Sequence, residues 1–259
     1  MGEFLEIDGL TKRFDGLIAV NAVTFSVSEH EILSVIGPNG AGKSTLFKLI
    51  ASFLRTSAGE VRYRGERISN LAPHVTARKG VVRTFQETSI FKDMTVRDNV
   101  IIAHHLRSSA SLFGYFFDSP AAIRDARAFG RSADLILEFL GLDEIKDEIA
   151  STLPQGHLRA LGIAIGLSTG AEVLLLDEPF AGMNQDETKQ AVEMVRAVRD
   201  RGVTLLLVEH DMSAVMTISD RIVVLNFGEK IAEGTPDEIQ RDEKVIEAYL
   251  GVEDDTIGL

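Results

Sequence analysis

The chain contains no cysteine. Disulfides, thiolate catalysis and cysteine-based zinc sites are therefore excluded, and the absence fits the cytoplasm. No apolar run approaches the roughly 18 residues that cross a bilayer. The first ten residues, MGEFLEIDGL, are acidic and lack the apolar core of a signal peptide. Work at a membrane would need a partner that supplies the membrane part. Positive charge is also short: 27 lysines and arginines stand against 39 aspartates and glutamates, a net charge of −12. Bulk charge of that sign does not grip nucleic-acid phosphates, so no nucleic-acid partner is expected. Repeats and long linkers are missing too. What remains is an ordinary globular composition, 45% hydrophobic and 25% charged over 259 residues. That length buries a large core in one large domain or two small ones.

The most specific stretch is GPNGAGKST, Gly37, Pro38, Asn39, Gly40, Ala41, Gly42, Lys43, Ser44 and Thr45. It fits the phosphate-loop pattern G-x-x-x-x-G-K-[ST]. Glycines let the backbone curl until successive N–H groups point at one spot, an anion nest at the start of a helix. Lys43 can reach terminal phosphates, and the Ser44 hydroxyl can hold Mg²⁺. The apolar run Ile32–Ile36 before it and the helical pattern Leu46–Phe53 after it supply the strand–loop–helix setting that the motif needs.

Phe4–Ile7 and Val23–Val27 alternate as strands. Between them Phe14 stands beside the turn-prone pair Asp15-Gly16, as a core residue or as a platform for a flat base. Glu60–Tyr63 and Glu66–Ile68 flank Arg64-Gly65 as a hairpin. Pro73–Lys79 reads as a short helix ended by Gly80, and Val81–Phe85 as a β-rich run closed by Gln86. From residue 87 to about 160 strand signals vanish. Ile123, Ala126, Phe129, Ala133, Ile136, Leu137 and Leu140 recur at helical spacing and predict a helical insert. It carries an apolar stretch, Leu112 to Phe117, suited to internal packing or to docking a partner. Val173–Leu176 and Val203–Val208 are fully apolar, as central parallel strands are. An amphipathic helix, Thr188–Arg201, lies between them. Ile222–Leu225 and Lys230–Ala232 flank a turn at Gly228, and Thr235–Glu238 reads as a capping box. Strands alternating with helices give an α/β fold with a mainly parallel sheet.

Ligands on such sheets gather at the carboxyl ends of the strands. The phosphate loop, the pair Asp177-Glu178 and His210 each follow a buried strand, so three separate regions are expected at one edge. A carboxylate at a strand end is costly without a cation, and Mg²⁺ on Asp177 would supply one. Glu178 could polarise an attacking water. The amide of Gln86 could coordinate Mg²⁺ and orient water, and His210 could bond a terminal phosphate.

This ordered set resembles the ATP-binding-cassette ATPases over nearly the whole chain. The correspondences run Phe14, Gly37–Thr45, Gln86, the helical insert, Leu153–His157, Leu174–Asp177 with Glu178, Ala181–Asn184, and His210. The resemblance implies the cassette fold: a RecA-like parallel-sheet core, an antiparallel β subdomain and an inserted helical subdomain. It divides the chain into an N-terminal β subdomain and first half of the core (1–86), the helical subdomain (87–160), the second half of the core (161–235) and a C-terminal helix with an acidic tail (236–259). ATP and Mg²⁺ are the implied ligands. Lys43, Glu178 and His210 would be catalytic, Ser44, Gln86 and Asp177 would face the metal, and Phe14 would face adenine. IGPNGAGKSTLF, RTFQ, DEPFAGMN, VEHDM, AEGTP and VIEAYL look more narrowly like the larger cassette subunit of branched-chain amino acid importers. That implies a peripheral subunit on the cytoplasmic face of the inner membrane, a second cassette subunit in a nucleotide-sandwich dimer, two integral permeases and a substrate-binding protein.

Two departures stand out. The family's signature is commonly LSGGQ; here it reads Leu153-Pro154-Gln155-Gly156-His157. Pro154 offers neither a hydroxyl nor a backbone N–H, and Gln155 adds bulk where glycine is usual. Asn184 stands where the family usually has aspartate. The altered signature suggests pairing with a different cassette subunit. Rival readings keep the motor with another cargo (urea, short amides, lipid export), or make the chain a soluble ATPase of translation or repair, or a nucleotide-binding regulator.

Overall fold

The computed structural model describes residues 4–84, 90–107 and 119–250. Gln86 and the apolar stretch Leu112 to Phe117 lie outside them. The chain opens with β1 (Leu5–Phe14) and β2 (Leu17–Val27), paired antiparallel about Asp15-Gly16. The sequence pattern predicts only the far ends of these strands, Phe4–Ile7 and Val23–Val27. Register shifts after Ile7 and Leu10, with positive φ at Gly9 and Ala22, change which side chains face inward. The two-residue period is lost there, although the pairing continues.

β3 (Ile32–Ile36), the phosphate loop and α1 (Lys43–Ile50) come next. β4 (Ala58–Tyr63) and β5 (Glu66–Arg67) complete a four-stranded antiparallel sheet in the order β2-β1-β4-β5. α2 (Pro73–Arg78) leads to β6 (Val81–Arg83). The helical region holds α3 (Val96–His104), α4 (Pro120–Phe139) and α5 (Gln155–Ser168). β7 (Val173–Asp177), α6 (Gln185–Asp200), β8 (Thr204–Val208), α7 (Met212–Ile218), β9 (Arg221–Asn226) and β10 (Glu229–Gly234) follow. The chain then runs through α8 (Pro236–Arg241) and α9 (Glu243–Leu250). At the start of α8, the Glu238 carboxylate accepts from the Thr235 backbone N–H (2.8 Å) and hydroxyl (2.9 Å).

The second sheet has the order β10-β9-β3-β8-β7-β6, with only β10 antiparallel to its neighbour. Its central strands are buried on both faces, which is why they read as unbroken apolar runs. Leu174, Leu176, Leu205 and Leu207 pack toward the helical region. Val173, Leu175, Leu206 and Val208 pack toward α1 and the antiparallel sheet. Each such side chain contributes roughly 1.5–3 kcal/mol by leaving water. A third cluster, Ile36 with Val215, Val224, Ile239 and Val245, seats the C-terminal helices against the strand that feeds the phosphate loop.

Candidate functional site

Register places the chemistry. Val35 pairs with Val208 across β3 and β8, and Asp177 pairs with Val208 across β7 and β8. The three strands therefore end together, and Gly37, Glu178 and His210 emerge at one edge. At this edge lies a cleft of about 620 Å³ lined by Asn39–Thr45, Glu178 and His210, with Phe14, Leu17, Ile18 and Phe227 at its apolar end.

The loop's glycines are sterically obligatory at two positions. Gly37 has φ 148, and a Cβ there would lie 2.0 Å from the Leu225 carbonyl oxygen. Gly42 has φ 99, and its Cβ would lie 2.3 Å from the Ala19 carbonyl oxygen. Lys43 opens α1 and is buried; its ammonium donates to the carbonyls of Gly37 (2.6 Å) and Pro38 (3.0 Å). Burial pulls its pKa down, opposed by the charges of Glu178 and Asp177. The two carboxylates thus act electrostatically on the Lys43 ammonium.

Asp177 closes β7 with a partner the sequence does not reveal. Arg83, 94 residues earlier, places Nη2 2.5 Å from Asp177 Oδ2. The two side chains are 9% and 6% exposed. Thr84 pins the same segment, its N–H donating to the Leu175 carbonyl (2.9 Å). Glu178 has φ 51, a left-handed conformation that costs a residue with a Cβ on the order of 1–3 kcal/mol. Its N–H donates to the Val208 carbonyl (2.8 Å), and its Oε1 lies 3.3 Å from His210 Nε2. Such strain belongs to positions that the surrounding structure over-determines, as here between β7 and β8.

Glu209 is a second unforeseen element. It is buried, and its carboxylate accepts from the backbone N–H of Phe180 (2.7 Å) and of His210 (3.0 Å). It ties the loop after Glu178 to the loop that carries His210. Burial raises its pKa, against the opposing effect of these N–H groups. Glu209→Ala leaves buried donors unpaired and should cost roughly 1–3 kcal/mol for each donor that water cannot reach. Urea unfolding measures it, and an unchanged midpoint would refute the bracing role.

At the apolar end Phe14 is 41% exposed. Lys12 Nζ lies 4.8 Å from its ring centroid and donates to the Arg55 carbonyl, so one ring face is backed by a fixed cation. The signature residues lie elsewhere. Pro154 is the N-cap of α5 and makes no capping bond; Pro154, Gly156 and His157 line a different groove, with Met183 and Glu187. Leu153 is buried behind them. Gln155 is the first helical residue. Asn184 is the N-cap of α6, accepting from the N–H groups of Asp186 and Glu187 (both 3.0 Å). Asparagine caps as well as aspartate, so that departure leaves the helix start intact.

A strand–phosphate loop–helix unit opening onto acidic strand ends defines a phosphate-loop nucleotide-binding protein. The family model for ABC transporters matches residues 20–181, and this chain belongs to that family. A second model, for branched-chain amino acid ATP-binding cassette transporters, matches residues 229–255. The chain is 44% identical over 95% of its length to the high-affinity branched-chain amino acid transport ATP-binding protein BraF of Pseudomonas aeruginosa, covering 97% of it. It is 43% identical to LivG of Escherichia coli K12, with the same two coverages. The lipopolysaccharide export ATP-binding protein LptB of Haemophilus influenzae is 30% identical, again over 95% of this chain and 97% of its own. Among solved structures, a nucleotide-free ATP-binding cassette from an ABC transporter superposes with TM-score 0.85 at 30% identity, covering 96% of this chain and 99% of the other. The ADP conformation of the cassette MJ1267 gives 0.84 at 30% identity, covering 97% and 100%.

Proposed function

We propose that this chain is the ATP-hydrolysing subunit of an importer of branched-chain or closely similar amino acids. The observation that carries the motor is the shared strand edge that brings Lys43, Glu178 and His210 around one cleft, with Asp177 ending β7 one residue before Glu178. The cargo rests on the likeness to BraF and LivG, at 44% and 43% identity against 30% for the lipopolysaccharide exporter.

Loop N–H groups and Lys43 hold the phosphates, and Phe14 supports adenine. Glu178 accepts a hydrogen bond from a water and aims its oxygen at the γ-phosphorus. A P–O bond forms to that oxygen as the bridging bond to ADP breaks, ADP leaves with the electron pair, and the water's protons end on phosphate and solvent. His210, whose Nε2 lies 3.3 Å from Glu178 Oε1, donates to the γ-phosphate. The Ser44 hydroxyl and the Asp177 carboxylate, with Gln86, would hold Mg²⁺. A few hard oxygen donors beside a phosphate site suit that ion, and its bound form neutralises phosphate charge.

The partners in this reading are a different cassette subunit, two integral permeases and a binding protein that meets the permeases. Among the described residues no helix is long and apolar enough to cross a membrane, in keeping with a peripheral subunit held at the inner membrane's cytoplasmic face by the permeases. Pairing with a different subunit is motivated by a complete phosphate-loop half beside an altered signature. The chain alone should release phosphate far more slowly than the assembled complex; equal rates would sink this pairing. Pro154→Ser with Gln155→Gly should raise turnover of the complex. Serine also supplies the missing cap, worth about 0.5–2 kcal/mol. Unchanged turnover would acquit the signature.

A further inference from the structure

Phe227 is explained neither by its turn nor by the core. It occupies the two-residue loop Phe227-Gly228 between β9 and β10, where Asn226 pairs with Glu229. Both loop residues have positive φ, 45 and 81, the mark of a type I′ hairpin. That turn prefers asparagine, aspartate or glycine at its first position, and a bulky side chain there is an outlier. The ring is also 86% exposed, so no packing offsets the strain.

Its surroundings show what it faces. Phe227 lines the same cleft as the phosphate loop, and at that end stand three more exposed apolar side chains, Phe14 (41%), Leu17 (67%) and Ile18 (40%). They come from two hairpins that are tied together. The Asn21 N–H donates to the Gly228 carbonyl (2.8 Å), and Asn21 Nδ2 to Glu229 Oε1 (2.7 Å). The Gly228 N–H donates to the Ala41 carbonyl (3.1 Å), which fixes the turn to the phosphate loop itself. Apolar side chains at one end of a cleft and N–H donors at the other match a ligand with a flat apolar head and an anionic tail.

We infer that Phe227 is a nucleobase-binding residue, forming with Phe14, Leu17 and Ile18 the slot that holds the purine. This rests on reading the cleft as the ATP site. The strained turn is kept for the ring it presents.

The test is Phe227→Asn in the full-length chain, because asparagine is the residue the turn prefers. Two measurements should move in opposite senses. The thermal midpoint should rise, as backbone strain is relieved. ADP affinity by calorimetry should fall about five- to a hundredfold, the range for losing an aromatic–base contact. Tripolyphosphate, which has no base, should bind unchanged, and Phe227→Trp should keep ADP affinity. ADP affinity within twofold of wild type in Phe227→Asn would overturn the inference, as would an equal loss for tripolyphosphate. Lost permease binding with nucleotide affinity intact would overturn it in favour of a docking role. Phe14→Ala separates the two levels. If it too leaves ADP affinity unchanged, the reading of the cleft has failed; if it weakens ADP and Phe227→Asn does not, only the inference has.

Discussion

Glu178→Gln should lower steady-state phosphate release by about 10²–10⁴-fold, the span for removing a positioned general base, while ATP binding persists. The reasons are local. Glu178 stands one residue beyond the strand end, held by the Val208 carbonyl in a left-handed conformation and 3.3 Å from His210. Glutamine keeps the shape but loses the charge and the ability to accept a proton. Lys43 and the loop N–H groups are untouched, so nucleotide affinity should hold or rise, since one negative charge near the phosphates is gone. Phosphate release and ATP affinity measured on the same preparation decide the matter. Loss of both together would mean that Glu178 shapes the cleft instead of acting on water.

Arg83→Met should destabilise the fold by roughly 3–5 kcal/mol, the usual cost of leaving one member of a buried ion pair without the other. Arg83 and Asp177 are both less than one-tenth exposed, so water cannot take over the role of the guanidinium. Asp177→Asn alone strands the opposite charge. Removing both should cost less than the sum of the single changes, because no unpaired charge remains. Denaturant unfolding of the two single variants and the double variant provides the cycle. A loss below about 1 kcal/mol for Arg83→Met would show that the pair is not a structural tie.

Much of the site was legible because each part is local. A phosphate loop is a contiguous pattern, and Asp177, Glu178 and His210 betray themselves by following apolar runs that only buried parallel strands produce. The convergence of those runs needed only the rule that such sheets bind at their carboxyl edge. The missing pieces are non-local. Arg83 lies in the RTFQ stretch, yet nothing in that stretch says that its guanidinium meets Asp177. Glu209 is visible as one acid among the residues after β8, but its bracing of Phe180 requires the loop after Glu178 to be in place. Phe227 beside Gly228 reads as an ordinary turn until its exposure and its neighbours are known. Register shifts hide the alternation of β1 and β2, so the sequence pattern shows only the far ends of that hairpin. Gln86 stands beyond the described residues, and its part rests on the family pattern.

The central claim is that hydrolysis at this chain's phosphate loop powers amino acid import. It meets its most direct test in membrane vesicles that carry this chain with the proposed permeases and second cassette subunit, loaded with ATP, with the proposed binding protein and radiolabelled leucine outside. ATP-dependent uptake should appear with the wild-type chain and be lost when the chain is omitted or carries Glu178→Gln. Uptake at the wild-type rate with Glu178→Gln in place would contradict the account.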